Sequence, residues 1–261
     1  MVEIAICLAI IGFALVAIIG VLPIGMNTQR DNREETIINQ DATLFIEAIR
    51  NGSRGLDDLT NYVYAITNYW TQYNPNGTMQ GGGGSSNSYT FSSFLIAPGF
   101  YTSGSRITNG MNIIGLLSTP EYTDYFGDPT NNLLNGGYSN HVVAYVRSIS
   151  GPAVEKPPQN NDIVVSDSFG YRILCVNAPV AVDTNIFSLP TTNTAYIYNQ
   201  QLAANLHELR LTFLWPQLPN GGVGPSRQTF RTMVAGQIMQ TNYNSSPWLY
   251  FYQSQSFINA P

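Results

Sequence analysis

The chain opens on an unbroken apolar block. The run Ile4–Met26 carries no charged residue; as a helix it would extend about 35 Å, enough to cross the hydrocarbon core of a bilayer. A polar stretch, Arg30-Asp31-Asn32-Arg33-Glu34-Glu35, follows. Helical periodicity then resumes through Ile37, Ile38, Leu44, Phe45, Ala48 and Ile49. Ile38, Phe45 and Ile49 share one stripe, which is expected to pack against a sheet. Asn51-Gly52 supplies a stop, because glycine suits the left-handed position that closes a helix. One helix of roughly 75 Å is therefore predicted over residues 1–50.

Beyond it the pattern changes. Leu59, Tyr62, Val63, Ile66, Tyr69 and Trp70 recur at helical spacing and predict a second helix near residues 56–72, with Asp57 and Asp58 at its positive end. Asn74-Pro75-Asn76-Gly77 reads as a turn and Gly81–Gly84 as a flexible loop. Tyr89–Ala97 reads as a strand, Met111–Ser118 as a short helix or strand, and residues 119–140 as loop. Four further strands are predicted at His141–Ile149, Tyr171–Val182, Glu208–Trp215 and Arg227–Met239. Pro216–Ser226 suits a hairpin turn joining the last two. The expected fold class is α+β: a long N-terminal helix (residues 1–50) packed on an antiparallel, β-rich head (residues 51–261).

Composition sharpens this picture. Only 10% of residues are charged, and Lys156 is the sole lysine. The polar surface must instead come from residues such as the 26 Asn and 16 Tyr, which suits an extracellular assembly with extensive subunit contacts. The net charge of −5 gives no basic footprint for nucleic acid. Cys7 lies in the apolar run and Cys175 in a predicted strand. They are read as small apolar side chains rather than as a disulfide pair.

Glu3 changes the reading of the apolar block. A carboxylate entering hydrocarbon costs several kcal/mol unless paired or solvated, and a plain anchor has no use for it. A cleaved signal peptide is not expected: its apolar core would be shorter, with a cationic segment before it and a small-residue cleavage site after it. Met1-Val2-Glu3-Ile4 followed by the apolar run resembles the start of a mature type IV pilin or pseudopilin. The stretches YRILCVNAPV, ELRLTFLWPQ and RQTFRTMVAG resemble head strands of a divergent bacterial branch of prepilin-like proteins.

The resemblance implies a structural subunit that waits in the inner membrane and is then stacked into an extracellular filament by a pilus or secretion machinery. It implies that Glu3 pairs with the N-terminal amine, on Met1, of a neighbouring copy. It also implies that the helix melts locally near Gly20 and Pro23 when packed; proline removes a backbone donor and clashes one turn back. The partners implied are copies of the same chain and the membrane. A pseudopilin of a secretion machine and a membrane-anchored surface- or carbohydrate-binding domain are the alternative readings.

Catalytic chemistry is not expected. His141 and His207 are the only histidines, and no HExxH, GxSxG or CxxC motif occurs. Asp124, Asp128 and Asn131 are oxygen donors without the order of a calcium loop, so no metal or cofactor is expected. The aromatic tail, Trp248, Tyr250, Phe251, Tyr252 and Phe257, is expected to close the core or a subunit contact, with a sugar platform as the sharper alternative.

Overall fold

The computed structural model describes residues 2–52, 56–81, 84–90, 105–107, 109–130, 135–152, 168–180, 189–218, 221–241 and 248–257. Its elements divide into two compact units, residues 1–40 and 41–261.

The first unit is helix alone. α1 runs from Val2 to Arg50 and passes through Pro23 without a break. Every side chain from Val2 to Met26 is exposed. The polar exit carries an i,i+4 ion pair, with Arg30 Nε 2.8 Å from Glu34 Oε1. An exposed pair of this kind contributes a few tenths of a kcal/mol.

The second unit begins within the same helix. Ala42, Phe45, Ala48 and Ile49 are buried, and Ile38, the remaining member of the predicted stripe, is fully buried as well. α1 stops where the sequence says it should. Gly52 has φ +57°, its N–H donates to Ile49 O at 3.1 Å, and an added Cβ would lie 2.6 Å from Tyr252 O. Only glycine fits there.

The predicted second helix is absent. A short 3-10 turn at Asp57–Asn61 leads into strand β1, Val63–Tyr73. The helical spacing was carried by residues that are β-branched or aromatic, and these prefer a pleated surface. Val63, Ala65 and Thr67 are buried in alternation, although Ile66 is buried too.

The remaining strands are β2 (Ser85–Thr90), β3 (Ser105–Arg106), β4 (Tyr122–Thr123), β5 (Gly137–Arg147), β6 (Gly170–Pro179), β7 (Leu206–Gln217), β8 (Val223–Ala235), β9 (Gln237–Thr241) and β10 (Leu249–Gln253). They build a sheet ordered β3-β2-β1-β5-β6-β7-β8, with β4 beside β5, and a separate β9–β10 hairpin. All ladders are antiparallel except β2–β3. β5, β6 and β7 match three of the four later strands predicted; the fourth, Arg227–Met239, is divided at Gly236 between β8 and β9, and β7–β8 is the expected hairpin. Of the predicted strand Tyr89–Ala97, residues 91–97 lie outside the described residues.

Met111–Ser118 resolves as helix α2, Gly110–Leu117, capped by Asn109, whose Oδ1 accepts from Asn112 N at 2.9 Å. A further helix, α3 (Thr194–Asn205), had no signature in the sequence reading; its apolar residues form no stripe, and only Ala203 is buried.

Most of the core lies on one sheet face, with a smaller buried cluster of Ala65 and Tyr145 apart from it. β6 and β7 alternate, with Tyr171, Ile173 and Cys175 and then Leu209, Leu211 and Phe213 buried. Aromatic rings run across this face: Tyr171–Phe213 at 5.4 Å and Phe213–Phe230 at 5.5 Å. Cys175 Sγ donates to Leu117 O at 2.9 Å, tying α2 to the sheet, and both cysteines are free thiols.

Candidate assembly helix and head surface

The assembly candidates sit at the start of α1. Glu3 lies in its first turn, where the helix dipole favours a carboxylate. Met1 lies outside the described residues. The helix is long and apolar enough to cross a membrane, and the span that qualifies has no side chain buried within the chain. Gly20 and Pro23 lie inside the continuous helix. A Cβ added at Gly12, Gly20 or Gly25 would meet nothing within 4 Å, so intrachain packing does not require these glycines. Small residues of this kind let another helix approach closely.

A second feature was missed by the sequence reading. Asp41 is fully buried. Its carboxylate accepts three hydrogen bonds: from Ile149 N at 2.9 Å, Ser150 N at 2.9 Å and Tyr171 OH at 2.8 Å. It therefore ties the helix to the end of β5 and the start of β6. Burial, and the carboxylate beside it, push the Tyr171 phenol well above its usual range. The signal was legible: Asp41 is an acid on the apolar stripe, three residues after Ile38 and four before Phe45.

The outer sheet face was missed as well. Across β5, β6, β7 and β8, Tyr145 pairs with Arg172, Arg172 with Leu214, and Leu214 with Arg227. Four residues further along each strand, Val176, Arg210 and Arg231 form a parallel row. Arg147 lies two residues from Tyr145 on the same face. Five arginines thus share one face. Arg172 stacks 4.8 Å over the Tyr145 ring, within cation–π range. Glu208 lies between Arg210 (3.7 Å) and Arg231 (3.9 Å), and Glu121 reaches Arg210 at 4.0 Å. Desolvation lowers the Arg147 pKa. In β6 and β7 the arginine positions alternate with the buried apolar ones, and that parity was present in the sequence.

The candidates for metal or acid–base chemistry do not converge. Asp124 Oδ1 accepts from Phe126 N at 2.8 Å and Asp128 N at 2.9 Å, so this carboxylate closes a turn. Asn131 lies outside the described residues. Among the described residues no cluster of three or more His, Cys, Asp or Glu could hold a metal. His141 is exposed. His207 is buried against the Tyr252 ring, 5.7 Å away, and burial pulls its pKa down to about 4. A cavity of about 480 Å³ beside it is bordered by Asp128, Thr130, Gln240 and several prolines.

Tyr250, Phe251 and Tyr252 are buried in β10, and Tyr250 OH donates to Gly127 O at 2.7 Å. These three close the core, so they cannot serve as an exposed sugar platform.

No family model, curated protein or solved structure matches this chain.

Proposed function

We propose that the chain is a structural subunit of an extracellular filament, held in the inner membrane by residues 4–26 before assembly and stacked through the same helix afterwards. The observation that carries this reading is an apolar helix with nothing buried from Val2 to Met26 and a carboxylate, Glu3, at its leading edge. A membrane anchor accounts for the length; it does not account for the acid. In a helical stack, Glu3 would meet the amine of a neighbouring copy, and helix packing would replace lipid contacts. The resemblance of residues 1–26 to type IV pilins supports the same reading. A short secretion piston is this reading at a different filament length.

Electron microscopy of material sheared from the cell surface tests it, with the native chain and Glu3→Ala compared. The expected result is filaments from the native chain and none from the variant, while both remain membrane-inserted before assembly. Normal filament yield from Glu3→Ala would overturn the pairing role. Absence of any filament, long or short, from the native chain would overturn the proposal.

A further inference from the structure

The head carries a charge asymmetry that the net charge hides. The chain is net −5 with 11 basic residues, yet five of those 11 lie on one sheet face, partly balanced by Glu208 and Glu121. The margin of this face is β8, hydrogen-bonded among the described residues only to β7. Arg227, Thr229, Arg231 and Met233 are among its exposed positions. Arg231 is 68% exposed in its side chain, and Met233 is 53% exposed.

Elsewhere on the head stands a feature of complementary chemistry, the turn Asp124–Asp128. Asp124 N donates to Asp128 O at 2.9 Å, and Gly127 N donates to Asp124 O at 3.2 Å. With the two bonds to Asp124 Oδ1, this makes a preformed turn that loses little entropy on docking. It presents the Asp128 carboxylate together with Phe126, whose 80% exposure is the highest of any large apolar residue described on the head.

We propose that the β8 margin of the arginine face docks the Asp124–Asp128 turn of a second copy of this chain, with Asp128 against Arg231 and Phe126 against Met233. An exposed aromatic and an arginine are the residue types that anchor interfaces. The contact is heterologous, joining two different patches, so it propagates instead of closing. Closed pairing through β8 itself is opposed. In an antiparallel β8–β8 pair centred on Thr229, Arg227 of one copy would face Arg231 of the other, and like charges directly opposite are destabilising. The proposal deepens the filament reading and rests on it for its supply of adjacent copies.

The test uses full-length chain in detergent micelles, with sedimentation velocity at low and high salt. Arg231→Glu and Asp128→Arg are each expected to self-associate roughly tenfold more weakly than the native chain, and an equimolar mixture of the two should recover native association. Phe126→Ser is expected to weaken association while leaving its salt dependence intact. Native-like association by both charge variants, or failure of the mixture to recover it, would overturn the docking. Electron microscopy of the same variants separates the two readings. Filaments of native yield and order from Arg231→Glu would overturn the docking and leave the filament standing. Recovery by mixing, with no filament from the native chain, would overturn the filament alone.

Discussion

Residues 2–26 and the head use the same apolar side chains in opposite ways. In the helix, Ile4, Ile11, Leu15, Ile18 and Leu22 are all more than half exposed. In the head, Ile66, Ile113, Ile173 and Leu211 are fully buried. A fully buried aliphatic side chain contributes about 1.5–3 kcal/mol, so the head holds its own hydrophobic stabilisation and residues 2–26 hold none within the chain. The helix is long and apolar enough to cross a membrane, and the apolar surface of residues 2–26 is left uncovered by the chain itself. The head is thus a folding unit, whereas residues 2–26 bury nothing within the chain.

The comparison is broken most severely by removing one side of it. A chain lacking residues 1–29 should fold yet remain monomeric at micromolar concentration, because head contacts lose the tether that raises their effective concentration. Light scattering checks this; stable oligomers from the truncated chain would show that the helix is not what drives association.

Next in size is Asp41→Ala, which strands two backbone N–H groups and the Tyr171 hydroxyl. It should destabilise the head by about 3–5 kcal/mol, given that bonds to charged groups are each worth about 1.5–3. Urea unfolding measures it, and Asp41→Asn should recover part of the loss. A full-sized loss in Asp41→Asn as well would point to the charge as the part that matters.

A pH effect of similar or smaller size comes from His207. Its pKa is about 4 in the fold against an ordinary 6.5. Above pH 6.5 both states are neutral and stability is flat. As pH falls from 6.5 towards 4, the unfolded chain takes up a proton that the folded chain refuses. About 3 kcal/mol should be lost across that window. His207→Gln should flatten this part of the profile, as read from unfolding midpoints at pH 7 and pH 4.5.

The smallest head effect is expected from Gly115→Ala. Its Cβ would lie 2.8 Å from Leu249 Cβ and 2.9 Å from Phe251 Cζ, an overpacking that costs about 1–3 kcal/mol. The same substitution at Gly20 meets open space in the single chain. It should leave the head's unfolding midpoint unchanged.

The parts legible in the sequence were those where one physical constraint acts alone. The apolar block, the Gly52 stop and the β7–β8 hairpin each follow from a single local rule. The failure at residues 56–72 arose because Val63, Ile66 and Trp70 satisfy helical spacing while their side chains favour a strand, and pairing with β5 decides the matter. α3 left no stripe to read. Asp41 and the arginine face were visible as violations or parities, but their meaning depends on which strands become neighbours. That ordering, β1 beside β5 and not beside β10, is a long-range outcome that no local pattern encodes.

The anchorage of Asp41 also has a mechanical reading. A pull along α1 reaches the head through residues 41–50, and the carboxylate passes part of that load to the junction of β5 and β6. Both strands are interior to the sheet, each bonded to a neighbour on either side. Tension entering there acts on strands each held by two ladders, whereas an attachment at β8 would act on a margin strand held, among the described residues, by one. The attachment point therefore selects the stiffer failure mode, and a head pulled by its own helix should yield at a higher force than one pulled from β8.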